Sequence, residues 1–204
     1  MNQPPSKIVC VGKNYFDHAK EMGGEIPAEP LLFLKPPSSL IGSGEAIVLP
    51  KIASHVEHEA ELAVVIGSRL RRVSEAEAMQ GVRGYVCLND VTSRDWQKRE
   101  SQWVRAKGHD TFCPISSEVV ADVDWRNLDI ICRVNGQIRQ QGHTSAMHFG
   151  VPFVLSLISH IMTLEPGDIV STGTPAGVGR LAPGDVVEVE IPGVGLLRNP
   201  VVAE

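Results

Sequence analysis

Residues 55–67, HVEHEAELAVVIG, constrain the fold more than any other stretch of the chain. The second half, Leu62-Ala63-Val64-Val65-Ile66, is apolar, partly β-branched and closed by Gly67, which predicts a buried strand. Side chains on a strand alternate faces, so Glu57, Glu59 and Glu61 are expected to project from one side. At a rise of about 3.3 Å per residue, alternate positions lie roughly 6.6 Å apart. Like charges crowded beside a buried strand are costly unless something positive neutralises them. A divalent cation would do so, because Mg²⁺ and Mn²⁺ prefer hard oxygen ligands. The alternative is a solvent-facing edge strand whose glutamates are hydrated. This stretch alone leaves both open.

At 204 residues the chain is expected to form one domain, residues 1–204, with a substantial core. The net charge of −5 and the lack of any Lys/Arg run argue against nucleic acid or an anionic membrane surface as partner. No apolar run approaches the length of a bilayer span. The opening MNQPPSKIVC carries no secretory pattern, and Cys10, Cys87, Cys113 and Cys132 are scattered without CxxC spacing. Reduced thiols and a cytoplasmic location are the expectation.

Along the chain, residues 7–11 predict a short strand and FDHAKEM (16–22) a helical turn. His18 and Glu21 are three apart, hence on one helical face. They are either a surface ion pair or a carboxylate orienting a histidine that activates water. Leu31-Leu32-Phe33-Leu34 is an extended run, and Lys35 after it reads as structural or solvated. Ser74-Glu75-Ala76-Glu77 has the capping-box pattern. Asp90, after a strand through residues 85–88, is either a plain N-cap-region aspartate before the polar helix 94–100 or a third oxygen ligand. Paired carboxylates also suit glycoside hydrolysis, but only 5% of residues are aromatic and no sugar-stacking platform is evident.

Residues 107–112 read as a loop, and Asn135-Gly136 between two strands is a strong hairpin signal. In VPFVLSLISHIM, Phe153, Leu157, Ile158 and Ile161 recur at helical spacing and predict a core-facing helix with Pro152 in its first turn. STGTPAGVG (171–179) is glycine-rich but lacks the Gly-Lys-Ser/Thr of a P-loop. It is either a tight connection or a loop offering N–H groups and hydroxyls to a carboxylate. The whole is strand-dominated, a mixed α+β fold without βαβ regularity.

In order and spacing, GKNYFDHAKEM, LLFLKPPSSL, EHEAELAVVIG, YVCLNDVTSRDWQ, AKGHDTFCPIS, VNGQIRQQGHTSAM and GDIVSTGTPAGVG resemble the fumarylacetoacetate hydrolase family, especially its short acylpyruvase branch. The resemblance implies that family's catalytic-domain fold, a mixed β-roll or sandwich with short helices. It places an E-x-E metal motif on Glu59 and Glu61 and a third ligand on Asp90, holding one Mg²⁺ or Mn²⁺ per chain. Glu57 falls outside the motif and becomes a supporting residue at most. His18, Glu21 and Lys107 match catalytic positions, whereas Thr174, Arg94 and Gln97 match positions that contact substrate. Thr92-Ser93 stands where serine-alanine is common, a conservative change. The larger relatives' extra N-terminal domain is not seen ahead of the G-x-N-Y segment, which points to small acylpyruvate-type substrates.

The implied activity is hydrolysis of a carbon–carbon bond in an acylpyruvate or fumarylpyruvate through a metal-stabilised pyruvate enolate. The same enolate serves oxaloacetate decarboxylation, and isomerisation, decarboxylation or hydration of unsaturated 2-oxo acids in aromatic catabolism. A non-catalytic metabolite-binding relative is the alternative of another class, disfavoured by the presence of both His18 and Lys107. A homodimer is expected from the resemblance alone.

Overall fold

The apolar runs pair into two five-stranded sheets, with a three-stranded and a two-stranded sheet beside them among the described residues. The structure, a computed structural model, describes residues 4–24 and 27–204. The loop after Gly23 thus passes through 25–26, outside the described residues. The strand-dominated α+β expectation holds, with short helices inserted between strands.

The central sheet runs in the order Leu31–Lys35, Ile8–Gly12, Ile169–Ser171, Ala60–Ile66, Val82–Asn89. All seven residues of Ala60–Ile66 are buried, so the edge-strand alternative falls. Both faces are covered, which is why the sequence reads as an unbroken apolar run. Leu62, Val64 and Ile66 enter the main core, while Ala63 and Val65 pack with Ile8, Cys10, Val86 and Leu88 on the other face. The second sheet, ordered Gln137–His143, Asp129–Val134, Val186–Ile191, Gly195–Ala203, Ile47–Leu49, turns Val187, Val189 and Ile191 into the main core. Asn135 and Gly136 take φ of 53° and 76°, the left-handed pair that a two-residue hairpin requires.

The acidic stretch is not one strand. Val56–His58 pairs with Gly179–Arg180 and Thr92–Ser93, whereas Ala60–Ile66 belongs to the central sheet. The chain changes sheets at Glu59. This corrects the single-strand reading and leaves Glu57 outside the carboxylate cluster that Glu59 and Glu61 enter.

Ser74 closes the expected capping box on Glu75–Gln80, its hydroxyl accepting from the Glu77 N–H while Glu77 accepts from Ser74. Val151–Ile161 is the expected helix, but with a different buried face. Val151, Val154, Leu155 and Ile158 face the core, while Phe153 is 40% and Ile161 60% exposed. The segment is apolar on most sides, so spacing alone admits two stripes and the packing selects one. All four cysteines are free and buried. Burial pushes the thiols of Cys87, Cys113 and Cys132 up to about 12, as suits packing residues rather than nucleophiles. No helix of the described residues is long and apolar enough to cross a membrane.

The corrected helix face is open to direct test. Ile158→Ala should lower unfolding stability by about 2–5 kcal/mol through loss of buried volume. Ile161→Ala should stay within about 0.5 kcal/mol of the parent. Denaturant unfolding of the two variants checks this, and equal losses would contradict the assignment.

Candidate metal centre

Glu59, Glu61 and Asp90 converge, each offering a carboxylate oxygen within 4.8 Å of the others. All are buried, at 4%, 2% and 0% exposure. Two adjoining segments bring them together. Glu61 pairs with Leu88 in the central sheet, the Glu59 N–H donates to Asn89 Oδ1 at 2.9 Å, and the Asp90 N–H donates to the Glu59 carbonyl at 2.8 Å. Asp90 is not a helix cap; Ser93 occupies that position.

Three cations arrive from elsewhere in the chain. Lys107 Nζ lies 2.7 Å from Glu59 Oε2 and 2.6 Å from Asp90 Oδ2. Lys35 Nζ donates to Asp90 Oδ1 at 2.6 Å and to the Val91 carbonyl at 3.1 Å. Lys35 is 1% exposed, so the structural reading of it holds and the solvated one does not. Its role at the cluster escaped the sequence reading, although the signal was there: a lysine ending an apolar strand immediately before Pro36-Pro37. Lys107, expected in a loop, ends the helical turn Val104–Lys107. Arg94 donates from Nε to Glu57 Oε2 at 2.6 Å and pairs with Glu59 Oε1 at 2.5 Å.

The carboxylates are therefore not equivalent. Burial pushes Glu59 up, but Lys107, Arg94 and His18 outweigh it and hold the carboxyl below its ordinary range. Glu61 has no cation in contact among the described residues. Its Oε2 accepts from the Ser171 hydroxyl and from the Gly173 N–H at 2.8 Å. Burial first, then the charges of Asp90 and Glu59, raise it well above the usual carboxylate value. A set of hard oxygens within mutual reach, with one carboxylate short of positive charge, fits a divalent cation.

The cluster floors a cavity of about 200 Å³ that His18, Arg94, Gln97, Lys107 and Thr174 also line. His18 is 5% exposed, and its Nδ1 lies 3.3 Å from Glu21 Oε2. Glu21 stands behind His18 rather than in the cavity wall, and accepts the Gly177 N–H at 3.1 Å. Gln97 Oε1 accepts from Arg94 Nη1 at 2.7 Å. The Thr174 hydroxyl accepts from Gln140 at 2.7 Å and donates to the Ala60 carbonyl at 2.9 Å. The glycine loop does present N–H groups to carboxylates, but the ones it meets here are the chain's own Glu61 and Glu21. Phe33 and Trp103, in edge contact at 5.2 Å, form an aromatic wall, and Lys13 and Lys98 add cations; none of these four was expected.

The model of the fumarylacetoacetate hydrolase C-terminal domain matches residues 7–202. The chain belongs to the fumarylacetoacetate hydrolase family. It is 47% identical over 195 residues to a mitochondrial oxaloacetate decarboxylase of Dictyostelium discoideum, covering 92% of this chain and 89% of that one. It is 46% identical over 193 residues to a mitochondrial oxaloacetate tautomerase of Bos taurus, covering 92% and 87%. Among solved structures of the family, a fumarylpyruvate hydrolase from Pseudomonas aeruginosa, in complex with Mn²⁺ and pyruvate, superposes with a TM-score of 0.94. That match is at 31% identity and covers 100% of this chain and 93% of that one. Family members are thus enzymes of more than one reaction type.

Two outcomes follow from these charges. Lys35→Met strips Asp90 of one buried partner and should cost about 3–5 kcal/mol in the metal-free protein, read by denaturant unfolding. An unchanged midpoint would contradict the pairing. Because the Glu61 carboxyl is raised, it keeps its proton below that elevated value, and cation uptake there must expel it. Apparent Mn²⁺ affinity should fall as pH drops through that range, and titration heats should differ between buffers of unlike ionisation enthalpy. Buffer-independent heats would contradict it.

Proposed function

We propose that the chain is a divalent-metal-dependent enzyme of small 2-oxo acids that hydrolyses a carbon–carbon bond in an acylpyruvate-type substrate, acylpyruvate or fumarylpyruvate. The observation that carries the reading is that His18, backed by Glu21, opens onto the same cavity as Glu59, Glu61 and Asp90. A Mg²⁺ or Mn²⁺ ion held by those three residues would supply positive charge that stabilises the oxyanion of a pyruvate enolate.

The chain's own residues account for the remaining work. Glu21 fixes the ring of His18 through Nδ1, leaving Nε2 to take a proton from water as it attacks the distal carbonyl. Burial pulls Lys107 down, but Asp90 and Glu59 outweigh it and keep the ammonium charged beside the cavity. Gln97 offers an amide N–H to the substrate carboxylate, and the loop at Thr174 bounds the same space. Arg94 holds Glu59 in place between Glu57 and Gln97. Phe33 and Trp103 give the acyl portion an apolar wall and keep bulk water from the reacting carbons.

A second reading, decarboxylation or keto–enol tautomerisation of oxaloacetate, is favoured by the relatives at 46–47% identity that bear those names. It uses the same enolate, and His18 then moves a proton at the substrate carbon rather than at water. The His18–Glu21 pair at the cavity counts against a binding protein without catalysis.

Turnover of acylpyruvates, fumarylpyruvate and oxaloacetate with Mg²⁺ or Mn²⁺ separates these reactions. Acylpyruvate cleavage is the expected outcome, and activity confined to oxaloacetate would transfer the assignment to the second reading. His18→Ala should lower the rate about 10²–10⁴-fold with metal binding retained. Parental turnover in that variant would refute the role of His18.

A further inference from the structure

The cavity floored by Glu59, Glu61 and Asp90 has two ends of different chemistry. Those three are the only acids that line it among the described residues. Arg94 and Lys107 are committed to that end, through Glu57, Glu59 and Asp90. Lys13 and Lys98 also line the cavity, yet neither pairs with a carboxylate among the described residues.

Both lysines belong to the outer end. Arg94 and Lys98 are four apart on the helix Arg94–Arg99, hence on one face, with Lys98 about 6 Å further along the axis. Arg94 is 3% exposed against the floor, whereas Lys98 is exposed. Lys13 directly follows the strand Ile8–Gly12, whose Val11 and Gly12 line the same cavity. It is half-buried and takes φ of 57°, a conformation uncommon for any residue with a side chain and one that collects at functional sites. Its ammonium lies over Gly24, where a Cβ would come within 3.0 Å of Nζ. Glycine there leaves room beside the charge. Val11, Met22, Phe33 and Trp103 give the cavity an apolar stretch of wall as well.

This inference rests on the reading that the floor takes a 2-oxo acid through a divalent ion. We infer that Lys13 and Lys98 determine specificity by receiving a second carboxylate at the far end of the substrate. The cavity then selects 2-oxo acids whose acyl portion ends in a carboxylate, as in fumarylpyruvate, over acylpyruvates with a neutral tail. Two ammonium groups beside one carboxylate form charge-assisted hydrogen bonds that a methyl end cannot make. The apolar wall suits the carbon chain between the two charged ends. Oxaloacetate carries its second carboxylate only two bonds from the keto carbon, which places it nearer the floor than Lys98.

The test is calorimetric titration of the full, Mn²⁺-loaded chain with 2-oxoheptanedioate and, separately, with 2-oxoheptanoate. These acids have the same length and differ only in the terminal carboxylate. The diacid should bind about tenfold or more tightly, and Lys13→Met combined with Lys98→Met should erase most of that preference. In turnover, the double variant should lower the ratio of kcat/KM for fumarylpyruvate over acetylpyruvate about tenfold, a ratio that a mere loss of folded protein leaves alone. The proposal is overturned if neither acid binds, if both bind equally, or if the double variant keeps the parental preference. The binding arm needs no turnover. A lysine-dependent preference without acylpyruvate cleavage leaves this inference standing and removes the hydrolytic reading, whereas cleavage without the preference does the reverse.

Discussion

Everything near the cavity floored by Glu59, Glu61 and Asp90 answers to the burial of three carboxylates in one place. Ionised groups removed from water cost several kcal/mol each after relaxation, unless charge and hydrogen bonds offset the loss. The chain offsets most of it with Lys35, Lys107 and Arg94, drawn from three separate segments. This is why two lysines, residues seldom found inside, rank among the largest fully buried side chains. The offset is incomplete at Glu61, which has a hydroxyl and one backbone N–H but, among the described residues, no cation in contact. The chemistry expected of the cavity begins at that shortfall.

The scaffold holds this arrangement by close backbone approach. Gly173 has φ +97°, and a Cβ there would come within 2.8 Å of Asn14 Cβ, so glycine lets the loop place its N–H on Glu61. Asn14 in turn donates to the carbonyls of Phe149 and Thr172 and accepts the Phe149 N–H, tying three segments together. Gly177, also at φ +97°, presses against the Arg139 carbonyl, where a Cβ would lie 2.3 Å away. Glu61 thus sits within the central sheet and Glu59 and Asp90 at the ends of its strands, while the His18–Glu21 pair rides on a six-residue helix braced by that loop. A fixed acidic floor beneath a histidine on a small, separate element suits reactions that share one enolate and differ in where a proton goes.

Much of this was legible in the residues. Apolar runs bounded by glycine and proline gave the strands, Asn-Gly gave the hairpin, and Ser-x-x-Glu gave the capped helix, because each depends on local backbone chemistry. Features set by tertiary packing were not legible. The sheet change at Glu59 depends on which strands lie beside it, and two registers of the same apolar pattern competed on the Val151–Ile161 helix. Lys35 read as either structural or solvated, and its place at the cluster was hidden because its partner, Asp90, is 55 positions away. The clustering of Glu59, Glu61 and Asp90 came from the family resemblance; strand alternation alone wrongly included Glu57.

Electron paramagnetic resonance of Mn²⁺ added to the metal-stripped chain tests the central claim most directly, by counting ions held at the buried carboxylates. The account predicts one tightly held Mn²⁺ per parental chain and its loss in Glu61→Gln, a variant that keeps shape and removes charge. Free-ion spectra from the parental chain, or equal binding by the variant, would contradict it.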